Sequence, residues 1–168
     1  MSDRVYNVLF LCSHNSARSI IAEAVLRKIG KGRFQAFSAG SNPAPGPMPA
    51  VLERLEALNF DASNLSSKSW SEFTTADAQK MDFVIAMCDT LTGQQCPDFG
   101  DHVVTGSWPF PDPAKFEGTD VERTAMLNEL IGMIERRLDI FINLPFSSLD
   151  KISLQARIDE LGQTIKGE

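Results

Sequence analysis

The apolar positions of the chain alternate between two kinds of run. Val5-Tyr6-Asn7-Val8-Leu9-Phe10-Leu11 is short and nearly continuous, which predicts a buried strand. Ile20 to Ile29 has helical periodicity and meets no Gly or Pro before Gly30, where Gly30-Lys31-Gly32 signals a stop and a turn. Arg33 to Phe37 alternates as a second strand and ends in Ser38-Ala39-Gly40-Ser41. The proline-rich stretch Asn42 to Pro47 excludes regular structure and predicts a surface loop. A helix over about 48–58 follows, with Val51, Leu55 and Leu58 on one face. Ser66 to Trp70 leads into a weakly periodic stretch to Gln79, and Asp82 to Met87 reads as a third strand that runs straight into Cys88. Asp89 to Gly100 is loop-like, and Val103-Val104-Thr105 is a short fourth strand.

The longest helix is expected over about 121–143, capped by Gly118-Thr119-Asp120, with Met126, Leu127, Leu130, Ile134, Leu138 and Phe141 forming its apolar face. Pro145 breaks it. Beyond lies an extra amphipathic helix over about 147–162, with Ser148 as a candidate cap and Leu149, Ile152, Ile158 and Leu161 towards one side. Strand–helix–strand–helix order implies right-handed crossovers between parallel strands, hence a doubly wound α/β fold with a four-stranded parallel sheet flanked by helices. The expected organisation is one domain over 1–146 and a C-terminal helical extension over 147–168, packed on the same domain or on a partner, including a second copy in a homodimer.

Composition narrows the function classes. Of 168 residues, 16 are Lys or Arg and 22 are Asp or Glu, giving a net charge of -6 with no basic run, so a nucleic-acid partner is not expected. Met1-Ser2-Asp3-Arg4 does not open a signal peptide, and no apolar run approaches membrane-spanning length; the expectation is a cytoplasmic protein without a membrane partner. Three cysteines are an odd number for a disulfide framework, which favours reactive thiols.

The chemistry gathers at Cys12-Ser13-His14-Asn15-Ser16-Ala17-Arg18-Ser19, between the first strand and the first helix. N–H groups of such a loop, a helix N-terminus and a forked guanidinium suit a tetrahedral oxyanion. The same field favours a thiolate, making Cys12 a candidate nucleophile and Ser13 to Ser19, with Arg18, the candidate anion-binding set. A Cys closing a strand can equally be a small buried hydrophobe. Asp112 stands among Pro109, Pro111 and Pro113, where a stiff loop could hold a general acid, although Asp-Pro is also an ordinary turn dipeptide. His14 and His102 have no metal-ligand spacing, so neither a metal nor any bound cofactor is expected.

Cys12 to Ser19 followed by Ala22-Glu23 resembles the anion loop of the low-molecular-weight tyrosine phosphatase fold, most closely its arsenate reductase branch, and the likeness extends over about residues 5 to 145. The resemblance implies Asp112 as the acid, Ser38 as the group that hydrogen-bonds Asn15, and Ser19 as a donor to the Cys12 sulfur. It further implies a relay in which Cys88 resolves the arsenic adduct on Cys12 and Cys96 carries the disulfide outward to thioredoxin or to glutathione with glutaredoxin. Seven residues separate Cys88 from Cys96, whereas the thioredoxin-coupled form of the family usually has six. Ala17 stands where the phosphatase branch carries a second Cys, and Ala114 and Lys115 stand where it carries aromatics. The expected activity is therefore arsenate reduction. Hydrolysis of phosphotyrosine or a small phosphoester is the first alternative, and non-catalytic oxyanion or redox sensing is the second.

Overall fold

The structure is a computed structural model; it describes residues 4–75, 77–87, 99 and 103–166. Four strands, β1 (Tyr6–Cys12), β2 (Phe34–Gly40), β3 (Phe83–Ala86) and β4 (Val104–Ser107), form one parallel sheet in the order β2-β1-β3-β4. The helices are α1 (Arg18–Ile29), α2 (Pro49–Ala57), α3 (Asp120–Ile142) and α4 (Lys151–Lys166), with single 3₁₀ turns at Trp70–Phe73 and Pro113–Lys115. This is the expected doubly wound sheet. Residues 89–98, read as a loop, lie outside the described residues, as do Cys88, Cys96 and His102.

Alternation along β1 divides the core. Val8 and Phe10 face the larger cluster beneath α1, α2 and α3, while Leu9 and Leu11 join a smaller one with Val84, Val103 and the Trp70–Phe73 turn. At the amino ends of the strands Tyr6, Phe34 and Phe83 stack with Phe141 and Phe146 at centroid distances of 5.1–6.0 Å. Full burial of a side chain of this size contributes about 1.5–3 kcal/mol, so one end of the sheet is closed by packing. The other end carries the loops.

Strand order reverses between β1 and β3: the chain leaves β1 towards β2 on one side and returns to β3 on the other. In open parallel sheets ligands bind in the crevice at the carboxyl ends of the strands flanking such a switch point. Cys12 ends β1 there. β3 arrives beside it, with the Met87 N–H donating to the Leu11 carbonyl at 2.7 Å.

Two expectations about the tail are corrected. The cap of α4 is Asp150, whose carboxylate accepts from the Ser153 N–H at 2.8 Å, and not Ser148. That bond to the Ser153 backbone holds the Asp150 carboxyl below its usual range. With the helix beginning at Lys151, its inward stripe is Leu154, Ile158 and Leu161, and Ile152 is exposed.

Candidate active site

The anion loop is built by turning its carbonyls outward. Ser13 O accepts from Asn42 N–H at 2.8 Å, His14 O from Ala44 at 2.9 Å and Ser16 O from Met48 at 2.9 Å, so the proline-rich segment acts as an outer collar. Asn15 O accepts from the Ser67 hydroxyl at 2.6 Å. Because each planar trans peptide points its N–H opposite to its C=O, tying these carbonyls outward leaves the following N–H groups facing the inside of the turn. Asn15 sits at φ 49, the left-handed region that Asn tolerates, and is fully buried. The exposed His14 uses Nδ1–H to hold the Asn42 carbonyl at 3.0 Å, which makes it part of the collar.

Arg18 opens α1 and folds back over the loop. Its Nη1 donates to the Phe110 carbonyl at 3.1 Å, and its Nη2 lies 3.6 Å from the Asp112 carboxylate. Its Nε is buried and has no hydrogen-bond partner among the described residues. A buried guanidinium donor without a partner is costly in a resting protein, and an oxyanion seated in the loop offers it an acceptor. Asp112 is also fixed from below: its other oxygen accepts from Ala114 N–H at 2.9 Å, capping the Pro113–Lys115 turn. The structure thus brings Arg18 and Asp112 together, with Cys12 closing β1 and Ser13, Ser16 and Ala17 in the loop between Cys12 and Arg18.

The support beneath the loop differs from the expected one. Ser38 donates its hydroxyl to Glu23 at 2.5 Å, not to Asn15. Asn15 is held instead by the main-chain N–H of Lys68, which reaches its Oδ1 at 2.9 Å, while its Nδ2 donates to Ser19 Oγ at 2.8 Å. Ser19, as acceptor there, keeps its own proton for another partner. Ser38 still belongs to the same buried layer, because its carbonyl accepts from Lys68 Nζ at 3.0 Å. That ammonium also donates to the Ser66 carbonyl at 2.7 Å. Burial pushes the Lys68 pKa below its usual value, with Glu23 and Glu72 pulling it partly back. Glu23, almost fully buried, takes its countercharge from Arg27 one turn on, at 2.5 Å.

Two of these residues carry no sequence signal of their own role. Ser67 and Lys68 sit in a polar stretch whose only local feature is serine content, yet it runs beside the end of β2, with Gly40 N–H donating to Lys68 O at 2.9 Å. Gly40 itself is required by close approach: a Cβ there would lie 2.6 Å from Ser13 O and 2.7 Å from Cys12 O. Among the described residues no cluster of three or more His, Cys, Asp or Glu side chains is placed to hold a metal ion, and no helix is long and apolar enough to cross a membrane.

A cradle of inward N–H groups with one guanidinium, a thiol at its base and a carboxyl at its rim can bind a tetrahedral oxyanion, attack it and protonate what leaves. The family model described as low molecular weight phosphotyrosine protein phosphatase matches residues 7–152. The arsenate reductase of Oceanobacillus iheyensis is 31% identical over 134 residues, 80% of this chain and 93% of that protein. That of Bacillus subtilis is 30% identical over the same shares. A solved arsenate reductase in its phosphate-binding state superimposes with a TM-score of 0.66 at 25% identity, covering 82% of this chain and 97% of the other. A thioredoxin-dependent arsenate reductase of Corynebacterium glutamicum gives a TM-score of 0.61 at 28% identity, covering 86% and 65%.

Proposed function

Because the chain belongs to the low molecular weight phosphotyrosine protein phosphatase family, we propose that it uses the family's oxyanion cradle to reduce arsenate to arsenite. Arsenate seats on the loop N–H groups and on Arg18, whose buried Nε gains an acceptor. The Cys12 thiolate attacks arsenic, and Asp112 passes a proton to the departing oxygen, which leaves as water. The Cys88 thiolate then attacks the Cys12 sulfur. The S–As electron pair stays on arsenic, so As(V) becomes As(III), arsenite departs, and a Cys12–Cys88 disulfide remains. Cys96 attacks Cys88 in turn and moves the disulfide to where an external dithiol can reduce it. Ser19 and Asn15 keep the cradle in shape, with Ser38 one layer below through Lys68 and Glu23.

One observation carries the choice of arsenate over a phosphoester. The described part of the chain brings the Met87 N–H onto the Leu11 carbonyl, one residue before Cys12, and the sequence continues from Met87 with Cys88. Phosphoester hydrolysis has no use for a second thiol. The named relatives support the same choice. The thioredoxin-dependent relative favours thioredoxin as the reductant, with glutathione and glutaredoxin as the alternative. A thiol relay of this kind works only in a reducing compartment, in keeping with the cytoplasm.

The experiment is arsenite production by the wild type, Cys88→Ser and Cys96→Ser, with thioredoxin and separately with glutathione plus glutaredoxin. Turnover with thioredoxin that both substitutions abolish is the expected result. Turnover with glutaredoxin alone, insensitive to Cys96→Ser, removes Cys96 from the mechanism. Absence of arsenite from both systems, beside rapid phosphoester hydrolysis untouched by Cys88→Ser, overturns the proposal and assigns the chain to the phosphatases.

A further inference from the structure

The family model ends at residue 152, and α4 spans Lys151–Lys166, so this helix lies almost wholly beyond the matched part of the chain. It packs on β4, the edge strand from which the Asp112 loop departs. Gln155 behaves there like a short fifth strand. Its Oε1 accepts from the Thr105 N–H at 3.1 Å and its Nε2 donates to the Thr105 carbonyl, closing the open side of the ladder at that residue.

One residue further along β4, the contact becomes closer than a side chain on that residue would allow. A Cβ on Gly106 would overlap the Ile158 side chain, and one on Gly162 would overlap the Ser107 carbonyl. Between these two glycines the fully buried Trp108 reaches into α4 and donates its indole N–H to the Ile158 carbonyl at 3.1 Å. Trp108 is pinned on its other side by its own N–H, which donates to Ala86 O at 2.7 Å, and its carbonyl accepts from Phe110 N–H at 2.9 Å. The next carbonyl contact of the loop is the one between Phe110 and Arg18, and Asp112 follows two residues later. Pro109, Pro111 and Pro113 stiffen the short span, so a displacement at Trp108 is passed along it rather than absorbed.

We infer that α4 is a brace for the acid loop, and that Trp108 and Gly162 are positioning residues that set where Asp112 stands over the anion cradle. The inference rests on Asp112 serving as the general acid. Gly162→Ala is the cleanest perturbation, because Ala is a better helix former than Gly by about 1 kcal/mol. Loss of activity then reports displacement of α4 from Ser107 and Trp108, not unwinding. Trp108→Phe is the second variant; it keeps an aromatic ring but removes the indole donor together with part of the buried ring volume.

The test is a double-mutant cycle on full-length protein, with kcat and KM for arsenate measured for wild type, Gly162→Ala, Trp108→Phe, Asp112→Asn and both pairings with Asp112→Asn. A misplaced acid is expected to lower kcat by on the order of tenfold to a hundredfold in the wild-type background. In the Asp112→Asn background the same substitutions should cost less than about twofold, since no acid is left to misplace. Equal losses in both backgrounds mean a general structural defect and overturn the brace while leaving the acid in place. Unchanged kcat in both variants overturns it as well. Wild-type turnover in Asp112→Asn alone refutes the acid assignment, and the brace falls with it.

Discussion

Replacing Gly40 by Ala tests whether the anion loop owes its shape to direct contact with the end of β2. The backbone of Gly40 is in an ordinary region, since its φ is not among the positive ones, so any effect is steric. The added Cβ meets Ser13 O at 2.6 Å, Cys12 O at 2.7 Å and Asn15 N at 3.0 Å, all main-chain atoms that cannot rotate away. To restore van der Waals separation the loop must move by about 0.8 Å relative to β2. Overpacking of this kind costs about 1–3 kcal/mol, and for a domain of this length each kcal/mol lowers Tm by about 2–4 °C. The displaced atoms are those that carry Cys12 and Asn15, so chemistry suffers more than stability. A misplacement near 1 Å can cost on the order of a hundredfold in rate. Thermal melts and arsenate kinetics on the same preparation should therefore show a modest fall in Tm beside a fall in kcat/KM of roughly tenfold to a hundredfold. Wild-type kinetics with wild-type Tm would refute the close-approach argument. A large fall in Tm with unaltered kinetics in the folded fraction would show that the loop does not depend on this contact for its active shape.

Lys68→Met should weaken binding of inorganic phosphate and arsenate, because the part-buried bond to the Ser38 carbonyl is lost, at a cost of about 1 kcal/mol. It should also change the alkaline limb of stability. The folded pKa of Lys68 is depressed by burial, so between that value and its ordinary 10.5 the unfolded chain holds more protons and wild-type stability gains with rising pH. Lys68→Met lacks that gain, which urea titrations across the alkaline range will register as a smaller slope against pH. Thr119→Ala removes the capping box at the start of α3 and should cost about 1 kcal/mol, lowering Tm by about 2–4 °C, with kcat unaltered. The bond from the Thr119 N–H holds the Glu122 carboxyl below its usual range. Thr119→Ala keeps that main-chain bond and removes only the hydroxyl's smaller contribution; this share is complete above the ordinary carboxyl range and is lost as pH falls through the lowered value, so the gap between wild type and variant should narrow slightly in acid.

What was legible in the sequence follows the range of the forces involved. The strands and helices were readable because their apolar runs are local, and Cys12 to Arg18 because the loop is contiguous and its neighbours on both sides are regular. The layer beneath it was not. Ser38 finds Glu23 and Asn15 finds Lys68 across sequence separations of 15 and 53, and nothing in the immediate neighbourhood of Lys68 announces a half-buried ammonium in that layer. The phase of α4 failed on a smaller matter: Ser148 and Asp150 are both good caps, and choosing the later one rotates Ile152 out to solvent. Its grip on β4 depends on Gly106, Trp108, Gln155 and Gly162 meeting across the fold, a coincidence of shape that periodicity does not encode.

The central claim is that the electrons for arsenate reduction come from the chain's own thiols, beginning with Cys12. It is tested most directly by a single turnover: fully reduced protein, freed of external thiols, is mixed with excess arsenate, and arsenite, remaining thiols and the disulfide map are measured together. The account predicts one arsenite per chain and the loss of two thiols, with the bridge mapped to Cys12–Cys88 in Cys96→Ser and to Cys88–Cys96 in the wild type. Arsenite formed with all three thiols intact, or none formed while Cys12 remains reduced, would contradict it.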